Sequence, residues 1–180
     1  MIGLKILDAT CSIKSIWFQK NHPLVTYMDK RSGQFIYQDN DKSKRPKIYN
    51  INPDVVADWT EQLPFENNEF DVVVFDPPHI VCNAESGDMV IRYGHFTKDN
   101  WKYQLQKGIA ELFRVLKPCG IFILKWCEVE NWGFVIPFNE VMRMFPYKPL
   151  FGTSTGNKEN NQWILFLKYD VNKKLIEGKK

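Results

Sequence analysis

Asp71-Val72-Val73-Val74-Phe75-Asp76-Pro77-Pro78-His79 is the stretch on which the fold turns. An apolar run, Val72–Phe75, lies unbroken between two acids. A short continuous apolar run bounded by turn residues fits a strand buried on both faces. The residues after it cannot extend it, because proline offers no N–H to a ladder and its ring fixes φ. The strand therefore delivers Asp76, Pro77, Pro78 and His79 to one point at the carboxyl edge of a sheet. Open α/β sheets bind their ligands at that edge.

The same pattern recurs upstream. Leu4–Leu7 is an apolar run ending at Asp8, Leu24–Met28 ends at Asp29, and Asp54–Ala57 ends at Asp58. Residues 13–21 are expected to form a helix after Ser12. Residues 30–53 are polar, with Ile36, Tyr37, Ile48 and Tyr49 placed for a small hairpin or for a long surface excursion. Downstream, residues 80–97 read as a loop. A helix is expected from about Lys98 to Leu116, because Trp101, Leu105, Ile109, Leu112, Phe113 and Leu116 fall at three- and four-residue steps. Lys117-Pro118-Cys119-Gly120 ends it. An apolar strand, Ile121–Trp126, follows, then a short helix from Pro137 to Met144. Two last strands are expected near Tyr147–Thr153 and Gln162–Tyr169, and the Lys-rich end is expected to fray. Alternating strands and helices predict an α/β fold. Its sheet is mostly parallel with an antiparallel last strand and helices on both faces, in one domain over residues 1–180.

Composition narrows the function classes. The chain has 180 residues, 44% apolar and 25% charged, as in ordinary soluble domains. Its 13 Phe, 7 Tyr and 6 Trp suit both a filled core and a site that stacks planar rings. A net charge of +3 permits nucleic-acid binding without arguing for it. Cys11, Cys82, Cys119 and Cys127 form no CxxC pair and have no His at metal spacing, so no metal site is expected and reduced thiols in the cytoplasm are. No signal peptide or apolar segment of membrane-spanning length is present, so no membrane partner is expected.

Four acids at four strand ends, Asp8, Asp29, Asp58 and Asp76, would share one sheet edge. A nucleoside-containing cofactor accounts for them better than a metal. An acid after the second strand can accept both ribose hydroxyls, which fits Asp29. An acid after the third can accept from an adenine amino group with a ring beside the base, which fits Asp58 and Trp59. Ala9-Thr10-Cys11-Ser12 are small enough to let backbone approach a ligand. No GxGxxG accompanies them, which counts against NAD, FAD and nucleoside triphosphates. S-adenosylmethionine carries no phosphate and needs no such cradle. Plainer roles stand beside these: Asp8 as a helix cap, Asp29 in a charged turn, Trp59 in the core. Lys125, inside an apolar strand, either reaches substrate or snorkels from an edge. Lys158 either touches nucleic-acid backbone or sits in an inert turn. His22 and His95 read as surface residues.

Taken together, these segments resemble class I S-adenosylmethionine-dependent methyltransferases. The likeness runs from about Leu4 to Tyr169 and includes Ile6-Leu7-Asp8-Ala9-Thr10, Tyr27-Met28-Asp29 and Val56-Ala57-Asp58-Trp59. Its most specific parts are Asp76-Pro77-Pro78-His79 and Glu111-Leu112-Phe113-Arg114-Val115-Leu116-Lys117-Pro118-Cys119-Gly120. The first is similar to the Asp-Pro-Pro-aromatic signature of small, often phage-encoded methylases of exocyclic nucleobase amines. The resemblance implies a Rossmann-like seven-stranded sheet and S-adenosyl-L-methionine as cofactor. Asp8, Ala9 and Thr10 would line its methionine part, Asp29 its ribose, and Asp58 and Trp59 its adenine. Asp76, Pro77, Pro78 and His79 would present the target amine, with the cofactor also against Asp76. The implied partner is nucleic acid, DNA before RNA, with adenine N6 the first choice. Cytosine N4 and guanine N2 stay open, as does a homodimer or partner protein. So do a catalytically silent scaffold and a methylase of another substrate. Two features depart from the family: Cys11-Ser12-Ile13 stands where glycines are usual, and His79 where Tyr, Phe or Trp is.

Overall fold

A computed structural model describes residues 3–83, 87–130, 133–154 and 160–169. Lys158 and the Lys-rich end lie outside the described residues. The strands are β1 (Ile6–Asp8), β2 (Val25–Asp29), β3 (Gly33–Tyr37), β4 (Lys47–Ile51), β5 (Val55–Val56), β6 (Phe70–Phe75), β7 (Leu116–Glu128), β8 (Phe151–Ser154) and β9 (Asn160–Leu167). The helices are α1 (Asp88–Tyr93), α2 (Trp101–Val115) and α3 (Phe138–Met142). Seven strands form one sheet in the order β5-β2-β1-β6-β7-β9-β8. β5, β2, β1, β6 and β7 pair in parallel, while β9 is antiparallel to both β7 and β8. This is the expected Rossmann-like sheet, and its carboxyl edge gathers Asp8, Asp29 and Asp76. β3 and β4 make the hairpin that Ile36, Tyr37, Ile48 and Tyr49 suggested.

Register sorts the side chains into two faces. Leu7, Val73, Phe122 and Phe166 form one row, and Phe75, Leu124 and Ile164 the next. On this face α2 buries Leu105, Ile109, Leu112 and Phe113, and α3 buries Val141. Phe113 stacks on Phe122 with ring centroids 4.8 Å apart. The apolar stripe of α2 thus does what its spacing predicted. The helix starts three residues later than expected, after Thr97 N–H donates to the Asn100 side chain at 2.9 Å.

The covering of the sheet is uneven. The other face carries Ile6, Val72, Ile121 and Leu167 in one row and Val74, Ile123, Leu165 and Phe151 in the next. A helix over 13–21 was expected there. The structure has turns instead, which pack Trp17 and Cys11 on Ile6, Val25 and Tyr27. Ser12 and Lys14 stand at φ 46° and 57°, a left-handed backbone that breaks any helix. Asp8 holds the Trp17 indole N–H at 2.7 Å and fixes the turns in place. Beyond that corner, among the described residues, Ile121 is 36% exposed and Phe151 58%, while Val74 stays buried.

Candidate active site at the carboxyl edge

The turn after β1 is built into the sheet. Ala9 N–H donates to the Val74 carbonyl at 2.9 Å and Cys11 N–H to the Met28 carbonyl at 2.8 Å. Thr10 Oγ1 accepts from the Asp76 backbone N–H at 2.9 Å. Small side chains are what such a threaded turn admits, and Ala9 is fully buried. β1 and β6 therefore present their ends as one rigid unit.

A cavity of about 40 Å³ opens beside this unit. Its walls include Ala9, Thr10, Asp29, Trp59, Asp76 and Pro78. Of the residues expected to bind cofactor, the structure brings together Ala9, Thr10, Asp29, Trp59 and Asp76. Asp8 and Asp58 are not in the wall. Asp8 turns both oxygens inward, accepting from Thr10 N–H at 3.1 Å and from Trp17 at 2.7 Å. Burial raises its carboxyl to about 7, against the lowering effect of those two bonds. Asp58 accepts from the Thr60 N–H and hydroxyl and faces Lys30 at 3.6 Å. Trp59 serves core and cavity together, since its ring meets Phe75 and Phe96 edge to face.

Asp29 is already engaged. Its carboxylate accepts from Ser12 N–H at 3.0 Å and from the Arg31 side chain at 3.0 and 3.2 Å. The same guanidinium donates to the carbonyls of Ile91 and Arg92 at the end of α1, at 2.9 and 3.2 Å. Ser12 Oγ donates to the Arg92 carbonyl at 2.6 Å. At the other end of α1, Asp88 accepts from Lys47 and from the Tyr49 hydroxyl of the hairpin. α1 is thereby tied down at both ends, and Tyr93, Gly94, His95 and Phe96, at and just past its end, line the cavity. Gly87 and Gly94 flank it at φ 147° and 82°, where a side chain would be strained. A drug-sized ligand usually occupies a pocket of ~300 Å³ or more, so a nucleoside would need this cavity to widen.

The Asp76-Pro77-Pro78-His79 turn divides in two. Asp76 and Pro78 face the cavity, whereas Pro77 and His79 do not line it. The His79 ring meets Trp126 edge to face at 6.5 Å, and burial lowers its basicity. Asp76 Oδ2 accepts from Lys125 Nζ at 2.8 Å, so this lysine is paired with the site's aspartate and not a free snorkelling one, although it does not itself line the cavity. Arg31, Thr60 and Tyr93 belong to the wall without having been singled out, Ser12 joins its small neighbours there, and His95, half-buried, lines the cavity as well. Arg31 could have been noticed as an acid's neighbour, but its second anchor lies 60 residues away. Among the described residues no group of three or more His, Cys, Asp or Glu could hold a metal ion, and no helix is long and apolar enough to cross a membrane.

No family model matches the chain, and no curated protein matches it. Solved structures do. A SAM-dependent methyltransferase from Methanosarcina mazei superposes with a TM-score of 0.52 at 15% identity, over 92% of each chain. The N-methyltransferase NodS from Bradyrhizobium japonicum WM9 gives 0.54 at 13% identity, over 93% of this chain and 86% of its own. The [4+2]-cyclase SpnF gives 0.52 at 9% identity, over 93% and 75%. Such distant likenesses establish a fold that methyltransferases and a cyclase share, and fold alone does not fix a reaction.

Proposed function

We propose that this chain is an S-adenosyl-L-methionine-dependent methyltransferase acting on an exocyclic amino group of a nucleobase, with adenine N6 in DNA as the first candidate. The observation that carries the proposal is the placing of Asp76. Asp76 stands in the cavity wall, its carboxylate is held by Lys125, its backbone N–H is tied to the turn after β1, and two prolines follow it. Two of the solved structures that share the fold are described as methyltransferases, which supports the same class.

The wall fits the cofactor in kind. Asp29 offers acceptors for ribose hydroxyls once Arg31 turns away, Trp59 offers a ring beside the base, and the Ala9–Thr10 backbone offers close approach. When bound, the cofactor supplies an electrophilic methyl carbon on a sulfonium. The chain's own work is positioning. An aromatic amine is a weak nucleophile because its lone pair is shared with the ring. Donating its N–H groups to Asp76 Oδ1 and to the Pro77 carbonyl favours a more pyramidal nitrogen. The bound cofactor would supply the methyl group to that lone pair and leave with the electron pair on its sulfur, and the amine's proton would pass to water. In-line alignment of the reacting atoms supplies most of the gain.

The test is transfer of labelled methyl to pools of unmethylated DNA and RNA, followed by identification of the modified nucleoside by mass spectrometry. N6-methyladenine in DNA is the expected product. Tight cofactor binding with neither polymer labelled would overturn the nucleobase assignment. A catalytically silent scaffold is the alternative that one observation favours: Asp29 and Asp76 are both already paired, with Arg31 and Lys125. Failure of the cofactor to raise the melting temperature would favour it.

A further inference from the structure

We infer that Lys125 reads the ring nitrogen beside the target amine, so that the site accepts adenine- or cytosine-type edges and rejects the guanine amino group. This rests on the amino-methylation proposed above and narrows it.

β7 runs parallel to β6 with Leu124 opposite Phe75, so Lys125 and Asp76 leave neighbouring strands at one level. The two heads meet at 2.8 Å, with the lysine side chain 21% exposed and the aspartate 12%. They are sheltered enough for a hydrogen bond to count, yet they reach the surface. Among the described residues Asp76 uses only Oδ2 for this pair, and Lys125 Nζ bonds to Asp76 alone. One carboxylate oxygen and two ammonium donors stay available on adjacent atoms. The pair is thus an acceptor beside a donor.

A base turned out of its stack is read along its Watson–Crick edge. In adenine the amino group, a donor, stands next to unprotonated N1, an acceptor. In cytosine it stands next to unprotonated N3. Either edge complements Asp76 and Lys125: amine N–H to Oδ1, ring nitrogen from Nζ. In guanine the amino group stands next to N1–H, so the ammonium would face another donor in a sheltered site. Sites built to pair a polar group reject the analogue that leaves it unpaired. The lysine serves a second end, because it holds Asp76 Oδ2 and leaves Oδ1 for the amine.

The test compares methyl transfer to random-context single-stranded DNA and RNA pools carrying adenine, 1-deazaadenine or 3-deazaadenine. 1-Deazaadenine replaces N1 by C–H and leaves the amine no less nucleophilic, so a slower rate reports lost recognition. The wild-type protein is expected to prefer adenine over 1-deazaadenine roughly 10- to 100-fold, the loss of one hydrogen bond to a charged group. It should treat 3-deazaadenine as adenine and leave guanine unlabelled. Lys125→Met should slow transfer to adenine and lose the preference, while Lys125→Arg keeps part of it. A lysine that only pairs with Asp76 would slow every substrate alike. If Lys125→Met does not fold, the wild-type comparison and Lys125→Arg decide. Equal wild-type rates on adenine and 1-deazaadenine, or methyl on guanine N2, would overturn the inference while leaving amino-methylation standing. No label on any base would instead remove amino-methylation itself, and the inference with it.

Discussion

Replacing Arg31 by alanine separates what shuts the cavity from what holds the fold. The guanidinium makes two bonds to Asp29, at 3.0 and 3.2 Å, and two to carbonyls of α1, at 2.9 and 3.2 Å. Removing one partner of a fully buried pair costs ~3–5 kcal/mol. Here the arginine side chain is 19% exposed and Asp29 7%, so water replaces part of what is lost. Asp29 also keeps the N–H groups of Ser12 and of residue 31 itself. A loss of ~2 kcal/mol is therefore expected, or roughly 4–8 °C in melting temperature for a domain of this size. Cofactor no longer has to displace a guanidinium from Asp29, so the rise in melting temperature on adding S-adenosyl-L-methionine should be larger in the variant. Thermal unfolding with and without cofactor reads both effects, and amide exchange across 88–94 should quicken. A folded variant that loses its response to cofactor would refute the reasoning, because Arg31 would then be a ligand for it and not a competitor.

Two other perturbations follow from the structure. Asp8 keeps its proton up to about 7 in the folded chain against an ordinary 3.8, mainly through burial. Between those values the native state binds more protons than the unfolded one, so this group makes stability fall as pH rises from about 4 to 7. Asp8→Asn should flatten that part of a denaturant-derived stability–pH curve; an unchanged slope would show the group plays no such part. Gly108→Ala would ordinarily strengthen a helix by ~1 kcal/mol. Here the new Cβ would stand 2.1 Å from Trp59 Cε3. Overpacking of that kind costs ~1–3 kcal/mol, so a lower melting temperature and weaker cofactor binding are expected, and a more stable variant would contradict the placing of Trp59.

The parts of the fold legible in the sequence are those with local causes. The acid-terminated strands announced Asp8, Asp29 and Asp76 at one edge, and the three- and four-residue stripe announced α2. The helix expected over 13–21 was lost to a tertiary cause, since the grip of Asp8 on Trp17 and two left-handed residues settle those turns. α1 escaped notice because six residues between glycines carry too little periodicity. Asp8 and Asp58 illustrate a second limit. A strand end places a carboxylate at the edge but does not say which way it turns: Asp8 spends its oxygens on Thr10 and Trp17, and Asp58 on Thr60 and Lys30. The Arg31 strap and the Asp76–Lys125 pair join residues far apart in sequence, so no spacing rule could have shown them.

On the function proposed, Asp76 presents an amine to a methyl donor held in the neighbouring cavity. The most direct measurement is methyl transfer by the wild-type protein and by Asp76→Ala, run beside S-adenosyl-L-methionine binding to both. Both proteins should bind the cofactor, the wild type should label a nucleobase amine, and the variant's transfer should fall by a hundredfold or more, ~3 kcal/mol of transition-state stabilisation. A variant that transfers methyl as fast as the wild type would contradict it.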